Sequence, residues 1–438
     1  MTLKSTIRKY VPENIISVYH YTLASLASLI YGNPSKDMVV IGITGTKGKT
    51  STANFIWSAL NNSGLKTGLI GTANIRIGDK ESMNEYHMTM PGRFKLQNLM
   101  SQMVKDGCKY CVMEVTSEGI KQWRHKGIIF DTVIFTNLTP EHLPSHGGSF
   151  ENYKKAKGKL FESLSQNQHK IIDGRKINKT IIVNKDSEHS DYFLSFKADK
   201  KITYAINNPA DFVAKEIANN YTGVDFKIDS TVFSLSILGT FNVYNALPAV
   251  IVAKEAGFRD ELIQEGLKNL NLIPGRMEKI EEGQNFTVIV DYAHEKQSMN
   301  AVLDTAKEIV KETSNKIIVL LGAEGGGRDK SKRPLMGEIA AKKADYVVVS
   351  NVDPYEDDPK EILEDIARAS ENHDKKRDEN LFVVEDRREG IKKALSLASK
   401  NDIVIITGKG AEQSICIGGK SYPWDDRKVV REELGNML

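Results

Sequence analysis

Gly42-Ile43-Thr44-Gly45-Thr46-Lys47-Gly48-Lys49-Thr50-Ser51 stands between a β-rich run, residues 38–44, and a helix-like segment, residues 51–63, whose Phe55, Ile56 and Leu60 are spaced for burial. Strand, glycine-rich loop and helix in that order are what a phosphate loop requires. Glycines let the backbone curl so that N–H groups face phosphate oxygens, and the helix N-terminus adds a favourable dipole. Gly45, Thr46, Lys47 and Gly48 form the cradle. Lys49 is placed against the terminal phosphates of a nucleotide, and the hydroxyl of Thr50 or Ser51 is placed to bind Mg2+. Gly42 falls one residue earlier than G-x-x-x-x-G-K-[ST] asks, yet the flanking elements favour nucleotide binding over an ordinary turn. Motors, kinases, switches and ligases share such loops, so the loop names a ligand class and not a reaction.

Outward from the loop, apolar runs recur at residues 110–115, 132–136 and 180–183, with helix-compatible segments such as 96–105 between them. This alternation predicts an α/β fold with a doubly wound, mainly parallel sheet. Residues 211–238, rich in Val, Phe, Thr and Ile, read as a small antiparallel β extension, and a helix begins near Asn242. Turn residues in Leu272-Ile273-Pro274-Gly275-Arg276 precede a second alternation, with strands at 286–290, 316–321, 345–350, 382–384 and 402–407. The expected organisation is an N-terminal helical stub (1–36), a central P-loop ATP-binding domain (37–273) and a C-terminal Rossmann-like α/β domain (274–438), with ligand contacts at strand C-terminal ends. Gly322-Ala323-Glu324-Gly325-Gly326-Gly327 does not satisfy G-x-G-x-x-G, which argues against a dinucleotide cofactor.

Composition sets further bounds. In 438 residues, 40% are hydrophobic and 27% charged, which excludes wholesale disorder and collagen-like repeats. Sixty Lys plus Arg against 57 Asp plus Glu leave a formal +3, too slight to suggest a nucleic-acid partner. Three cysteines cannot form a disulfide framework and suit a reducing, cytoplasmic setting. Cys108-x-x-Cys111 lacks the second pair a zinc site needs and lies by a buried strand. Residues 15–30 carry no formal charge but are short for a span, which needs about 20 residues. Ile16, Tyr19, Leu23, Leu26 and Ile30 share one helical face, with Ser17, Ser25 and Ser28 off it, so a helix packed by that face on the following domain is expected. Peripheral membrane contact is the other reading of this segment.

Further motifs follow in order: M-E-V-T-S from Met113, T-N-L-T-P-E-H-L-x-x-H-G from Thr136, A-K-x-x-L-F from Ala156, G-T-F-N-V-Y-N-A from Gly239, P-G-R-M-E from Pro274, V-D-Y-A-H from Val290 and K-R-P-L-M-G from Lys332. With G-T-K-G-K-T these resemble the Mur ligases, the ATP-dependent amide ligases of peptidoglycan precursor synthesis, and most of all the MurE type. The resemblance runs from about residue 36 to the C-terminus. It implies ATP, two Mg2+ sites and an acyl-phosphate intermediate. Thr50 would hold one Mg2+, while Glu114 and His142 match the ligands of the second. Lys157 matches the family's carbamylated lysine, in which CO2 turns an ammonium into an anionic carbamate able to help bind metal. Asn242 and Asn245 resemble adenine-side asparagines. Arg276 lies in the hinge, and Asp291, Tyr292 and His294 resemble residues that the second domain brings to the nucleotide. Lys332 and Arg333 suit phosphate charge. Thr89, Pro91 and Gln97 resemble the acceptor-contacting T-x-P…LQ segment, with Thr116, Ser117 and Arg124 beside it, so the partners implied are ATP, an amino acid and a muropeptide-like acceptor. The chain is expected to act as a monomer.

Three features depart from the family pattern. Some 36 residues precede the first strand, too few for the uridine-binding domain of full-length MurE-type ligases, so the acceptor is expected to be gripped differently or to be of another kind. Enzymes of this type that take meso-diaminopimelate carry D-N-P-R; here Tyr355 follows Asp353-Pro354 in the arginine's place, and acidic residues crowd round it. An anionic side chain is therefore disfavoured and a lysine-like ammonium welcome. G-K-G-H-E becomes Gly408-Lys409-Gly410-Ala411-Glu412, leaving Glu412 for the incoming α-ammonium, and Glu118 stands where histidine is common. A folylpolyglutamate-synthase-like or other peptide-polymer ligase, and a non-catalytic nucleotide-binding module, remain as alternatives.

Overall fold

A computed structural model describes residues 12–86, 88–141, 143–311 and 313–437. The first unit comprises the described residues up to 216 with 226–233 and 243–269; the second comprises 217–225, 234–242 and 270–437.

In the first unit the strand Val39–Thr44 is buried at every position and lies between Tyr110–Glu114 and Thr132–Phe135, parallel to both. Thr180–Asn184 and Thr67–Ile70 continue the parallel array on either side. Continuous apolar runs are what strands covered on both faces need. Register pairs Ile43 with Glu114 and Thr44 with Phe135, so three strand ends open at one level. Strands next to each other here are not consecutive in the chain, and a crevice at the carboxyl ends follows from that reversal. Beyond Thr67–Ile70 the sheet ends in two short antiparallel strands, Asn74–Ile77 and Lys80–Met83. At the other edge, Phe212–Asn220 joins Lys200–Ala205 in parallel through Tyr204 and Ala205. Antiparallel character in the extension therefore begins only with Gly223–Ile228 and Thr231–Leu235, whose two-residue connections permit no parallel crossover.

Helix Glu13–Ile30 packs on the first unit, but by a face other than the one expected. Ala24, Ala27 and Ser28 are buried, whereas Tyr19, Leu26 and Ile30 are about half exposed or more (59%, 45% and 61%). Small residues win because the helix must lie close to the turn at Gly127, whose φ of +79° leaves room for no side chain against Ser28. Ser28 Oγ donates to Gly127 O at 2.9 Å, and Trp123 Nε1 donates to Ser17 Oγ at 2.8 Å. Ile15, Val18, Tyr19, Leu26, Leu29 and Ile30 are left facing outward.

The amino ends of the central strands are tied by one carboxylate. Asp131, fully buried, accepts from Val40 N at 2.9 Å, Lys170 Nζ at 2.5 Å and Lys179 Nζ at 3.0 Å. The two lysines also donate to the carbonyls of Met38 and Phe130. Burial draws the Lys170 ammonium down to about 8 against the pull of Asp131.

The second unit carries a six-stranded sheet in the order Glu278–Ile280, Thr287–Asp291, Ile403–Thr407, Ile317–Leu321, Tyr346–Val349, Leu381–Val383, antiparallel only at the first pair. The last five of these strands lie within a residue of the sequence expectation, and Glu278–Ile280 is an addition to it. Arg387 staples the carboxyl ends, bonding Asp426 in a fork at 2.8 and 2.6 Å and the carbonyls of Asn351 and Thr407.

Removing Asp131 leaves two buried ammonium groups unpaired, so Asp131→Ala is expected to cost about 3–5 kcal/mol of stability. Urea unfolding measures this; an unchanged midpoint would refute the role given to the carboxylate.

Candidate functional site

The loop after Val39–Thr44 curls because Gly45 (φ +154°) and Gly48 (φ +84°) take conformations closed to side chains, and a Cβ on either would overlap Thr136 Oγ1 or Asn245 Oδ1. Asn137 then clamps it: its Oδ1 accepts from Lys47 N at 2.8 Å and its Nδ2 donates to Lys47 O at 3.1 Å. Thr136 Oγ1 adds a bond to Lys47 O at 2.8 Å, and Thr46 N donates to Asn137 O at 2.9 Å. Lys47 itself pairs with Glu141 at 3.1 Å. Lys49 Nζ reaches back to the carbonyls of Gly45 and Thr46 at 3.0 and 2.9 Å. Asn137 lies inside the motif quoted from Thr136, but its role as a clamp appears only once the two strand ends are side by side.

Helix Lys49–Asn62 opens on Thr50 and Ser51, both buried. Thr50 Oγ1 donates to Glu114 Oε2 at 3.1 Å. Glu114, fully buried, also accepts from Thr72 N at 2.6 Å and Thr72 Oγ1 at 3.0 Å. A hydroxyl and a carboxylate oxygen side by side fit a hard cation that takes its other oxygens from phosphate and water. Among the described residues no three His, Cys, Asp or Glu side chains form a metal-holding group. His142, the expected second ligand, lies outside the described residues.

Lys157 is buried (2% exposed) on helix Phe150–Gln166, with Nζ donating to Gly45 O at 2.9 Å and standing 4.6 Å from the Tyr153 ring centre. Burial and then the nearby Lys49 cation hold its pKa well below the ordinary lysine range, against the opposing pull of Glu141. Tyr153 shares the site, its hydroxyl 3.3 Å from Thr46 Oγ1.

On the acceptor side, Thr89 Oγ1 lies 2.9 Å from Thr72 Oγ1, which continues the Glu114 network toward Pro91. Thr116 caps helix Ser117–Lys121 by accepting from Gly119 N at 3.0 Å, and Ser117 Oγ meets His146 Nε2 at 3.1 Å. Arg124 bonds Met90 O and Gln122 Oε1. Gln97 is buried within helix Arg93–Lys105. Asn245 stands close to Gly48 of the phosphate loop. Thr72 went unassigned in the sequence, as did the role of His146, the last histidine of the motif quoted from Thr136, since neither contact exists before the strands are aligned.

In the second unit Asp291, Tyr292 and His294 stand at and just past the carboxyl end of strand Thr287–Asp291. Asp291 accepts from Met277 N and Ala293 N at 2.8 Å each, fixing the turn. Arg276 lies over the Tyr292 ring at 4.3 Å, and His294 Nδ1 is 2.7 Å from Tyr292 O. Tyr292 Oη donates to Glu412 Oε1 at 2.9 Å; burial, and then Glu412, push its pKa well up. Lys332 bridges Glu295 and Glu324 at 3.1 Å each. Burial works to raise the Glu324 carboxyl, but His294, Lys332 and Arg328 prevail and hold it at about 2. Arg333, 1% exposed, is turned to Asp365 at 3.0 Å and ties helix Lys332–Lys343 to helix Pro359–Glu371. Asn242 is buried with its Nδ2 on Leu238 O at 2.7 Å.

Lys409 joins Asp353 at 2.6 Å and Glu412 at 2.5 Å. Of the other acidic residues near Tyr355, Asp357 lies 3.8 Å from Arg333, and Asp358 caps helix Pro359–Glu371. The Arg328 guanidinium stands beside the Tyr355 hydroxyl. Lys409 and Arg333 thus offset part of the negative charge expected from the sequence, at Asp353 and Asp357, while among the described residues no ion pair forms at Glu356 or Asp358.

Residues 43–253 match the Mur ligase middle domain and residues 275–410 the Mur ligase glutamate ligase domain. A UDP-N-acetylmuramoyl-L-alanyl-D-glutamate–2,6-diaminopimelate ligase of Caldanaerobacter subterraneus subsp. tengcongensis is 40% identical over 94% of this chain and 81% of its own length. The chain belongs to the Mur ligase family. A ligase of the same name from Geobacillus kaustophilus is 36% identical over 96% of this chain and 84% of its own length. A solved structure with that name superposes at a TM-score of 0.62 and 29% identity, covering 92% of this chain and 79% of its own. This Mur ligase is thus of MurE type, an ATP-dependent acid–amino-acid ligase. Folylpolyglutamate synthase of Mycobacterium tuberculosis, at 17% identity and a TM-score of 0.67, shares the fold.

Glu324 contributes stabilisation that is complete above its ordinary pKa of 4.5 and lost as pH falls toward about 2. Thermal melts of the parent and Glu324→Gln from pH 7 downward should accordingly converge below that range; a constant gap would show that the ion pairs do not stabilise the fold.

Proposed function

We propose that this Mur ligase joins an amino acid to a UDP-linked muropeptide in peptidoglycan precursor synthesis, as the names of its relatives describe for them. The observation that carries the reading is the buried Lys157 amine, held on Gly45 O of the phosphate loop, with the Thr50–Glu114 pair at the start of the helix that follows that loop. Only an unprotonated amine can add CO2, and burial next to Lys49 favours that form. The resulting carbamate, with Glu114 and, by its motif, His142, would help hold one Mg2+, and Thr50 another; the ions would offset the repulsion between phosphate and carboxylate. The phosphate loop and Lys49 orient the γ-phosphoryl group for transfer to the acceptor carboxylate, giving an acyl phosphate and ADP. The amino acid's neutral amine then attacks the acyl carbon and inorganic phosphate leaves. Thr89, Pro91, Thr116, Ser117 and Arg124 hold the acceptor in this reading. Asp353, Tyr355, Gly408 and Glu412 receive the amino acid, while Asn245, Arg276 and His294 serve the nucleotide.

With Asp353 and Asp357 partnered, preference for a lysine-like donor over diaminopimelate rests on Tyr355 together with Glu356 and Asp358. No described helix is long and apolar enough to cross a membrane. The outward stripe from Ile15 to Ile30 is the surface proposed for peripheral membrane contact, and the chain is proposed to act as a monomer.

Phosphate release from ATP and Mg2+ is expected only with UDP-MurNAc-L-Ala-D-Glu and one amino acid together; release independent of either would overturn the reading. Lys157→Ala should abolish turnover, and added short-chain carboxylates should partly restore it, whereas undiminished turnover would remove the carbamate. Tyr355→Arg is expected to shift amino-acid preference toward diaminopimelate, read as kcat/KM across a panel, and an unchanged ranking would end the selection role of Tyr355.

A further inference from the structure

Arg93 heads helix Arg93–Lys105, two residues after Pro91, and has no counterpart among the residues assigned above. Its Nη2 donates to Gln122 O at 2.7 Å. Arg124 donates to the same residue, from Nε at 3.2 Å and Nη2 at 2.8 Å to Gln122 Oε1, and also to Met90 O. Two guanidinium groups therefore share one glutamine. Among the described residues neither makes an ion pair with a carboxylate, and Arg93 Nε is buried with no hydrogen-bond partner. Burial holds both below the ordinary arginine range, Arg124 depresses Arg93 further, and the Glu118 carboxylate, not hydrogen-bonded to either, offsets part of the effect at Arg124. Like charges half withdrawn from water repel unless an anion comes between them.

Their place in the network shows where that anion comes from. A continuous series of contacts leads from Thr50 through Glu114, Thr72 and Thr89 to the segment whose Met90 carbonyl receives Arg124. It starts at the phosphate loop and ends at the guanidinium pair, on the acceptor side. Two planar forks are suited to the paired oxygens of a carboxylate or phosphate.

We propose that Arg93 and Arg124 form a two-arginine clamp for an oxyanion of the acceptor, with Arg93 as a further acceptor-binding residue. The proposal rests on the muropeptide reading above and deepens it. The oxyanion is either the α-carboxylate of the acceptor's terminal D-glutamate or a phosphate of its nucleotide.

The test is calorimetric binding of UDP-MurNAc-L-Ala-D-Glu in the absence of ATP, beside the ligation assay. Arg93→Gln should weaken acceptor binding about 10- to 100-fold, the worth of one charged hydrogen-bonded contact, and leave ATP affinity unchanged. Arg93→Lys should recover part of the loss, since it keeps the charge and not the fork. Two further probes separate the sources. An acceptor ending in D-isoglutamine lacks the α-carboxylate, and MurNAc-L-Ala-D-Glu lacks the phosphates; the Arg93→Gln penalty should vanish for the one missing the clamped group. A penalty equal on all three probes, or parental affinity in an Arg93→Gln protein that melts like the parent, overturns the clamp. A parent that binds the acceptor in an Arg93-dependent way but does not ligate upholds the clamp and sinks the ligase reading. Ligation by a parent whose acceptor affinity ignores Arg93 does the reverse, and a parent that binds none of the probes overturns both.

Discussion

The buried carboxylate of Glu114 is the constraint on which the first unit's site depends. A fully buried carboxylate must be hydrogen-bonded or its desolvation is not offset. Glu114 meets this with Thr50 and with the backbone and side chain of Thr72. Those bonds require the start of helix Lys49–Asn62, the end of Tyr110–Glu114 and the turn after Thr67–Ile70 to meet at one point. The parallel register delivers that meeting, because strands of similar length starting in step also end in step. The phosphate loop is thereby joined to the acceptor segment through Thr89.

Opposite ends of the same strands serve opposite purposes. At the amino ends Asp131, Lys170 and Lys179 close a buried ionic knot that only holds strands together. At the carboxyl ends Lys157 is buried with no carboxylate hydrogen-bonded to its amine and a cation nearby, an arrangement that disfavours its charged form. One lysine type thus plays two roles, set by whether an acid shares its pocket. In the second unit both kinds of group lie at the carboxyl end of the sheet, Arg387 and Asp426 as a structural staple and Lys332, Glu324, Lys409 and Glu412 as the polar working groups.

Much of this was legible in the chain. Strand positions, the phosphate loop, the second α/β unit and the family followed from hydrophobic runs and ordered motifs. Helix Glu13–Ile30 was foreseen but its inner face was not: periodicity selects the most apolar stripe, whereas the approach to Gly127 required the smallest one. Arg333 looked like a phosphate contact by its motif and is instead turned toward Asp365. The acidic run around Tyr355 read as a repulsive field, and the residues that offset part of it, Lys409 at Asp353 and Arg333 at Asp357, come from segments more than twenty residues away in sequence.

Sequence by itself determined the element order, the nucleotide-binding loop and the kind of chemistry, since each is written in local spacing and in residue types that few folds can use. Tertiary structure alone decided which side chains share a charge, a proton or a substrate oxygen. Asn137 clamping Lys47, Thr72 satisfying Glu114 and Arg93 meeting Arg124 on Gln122 all join segments remote along the chain. Local propensity carries no record of such meetings. They arise because parallel strands set their carboxyl ends level and because each buried polar group must find its partner there.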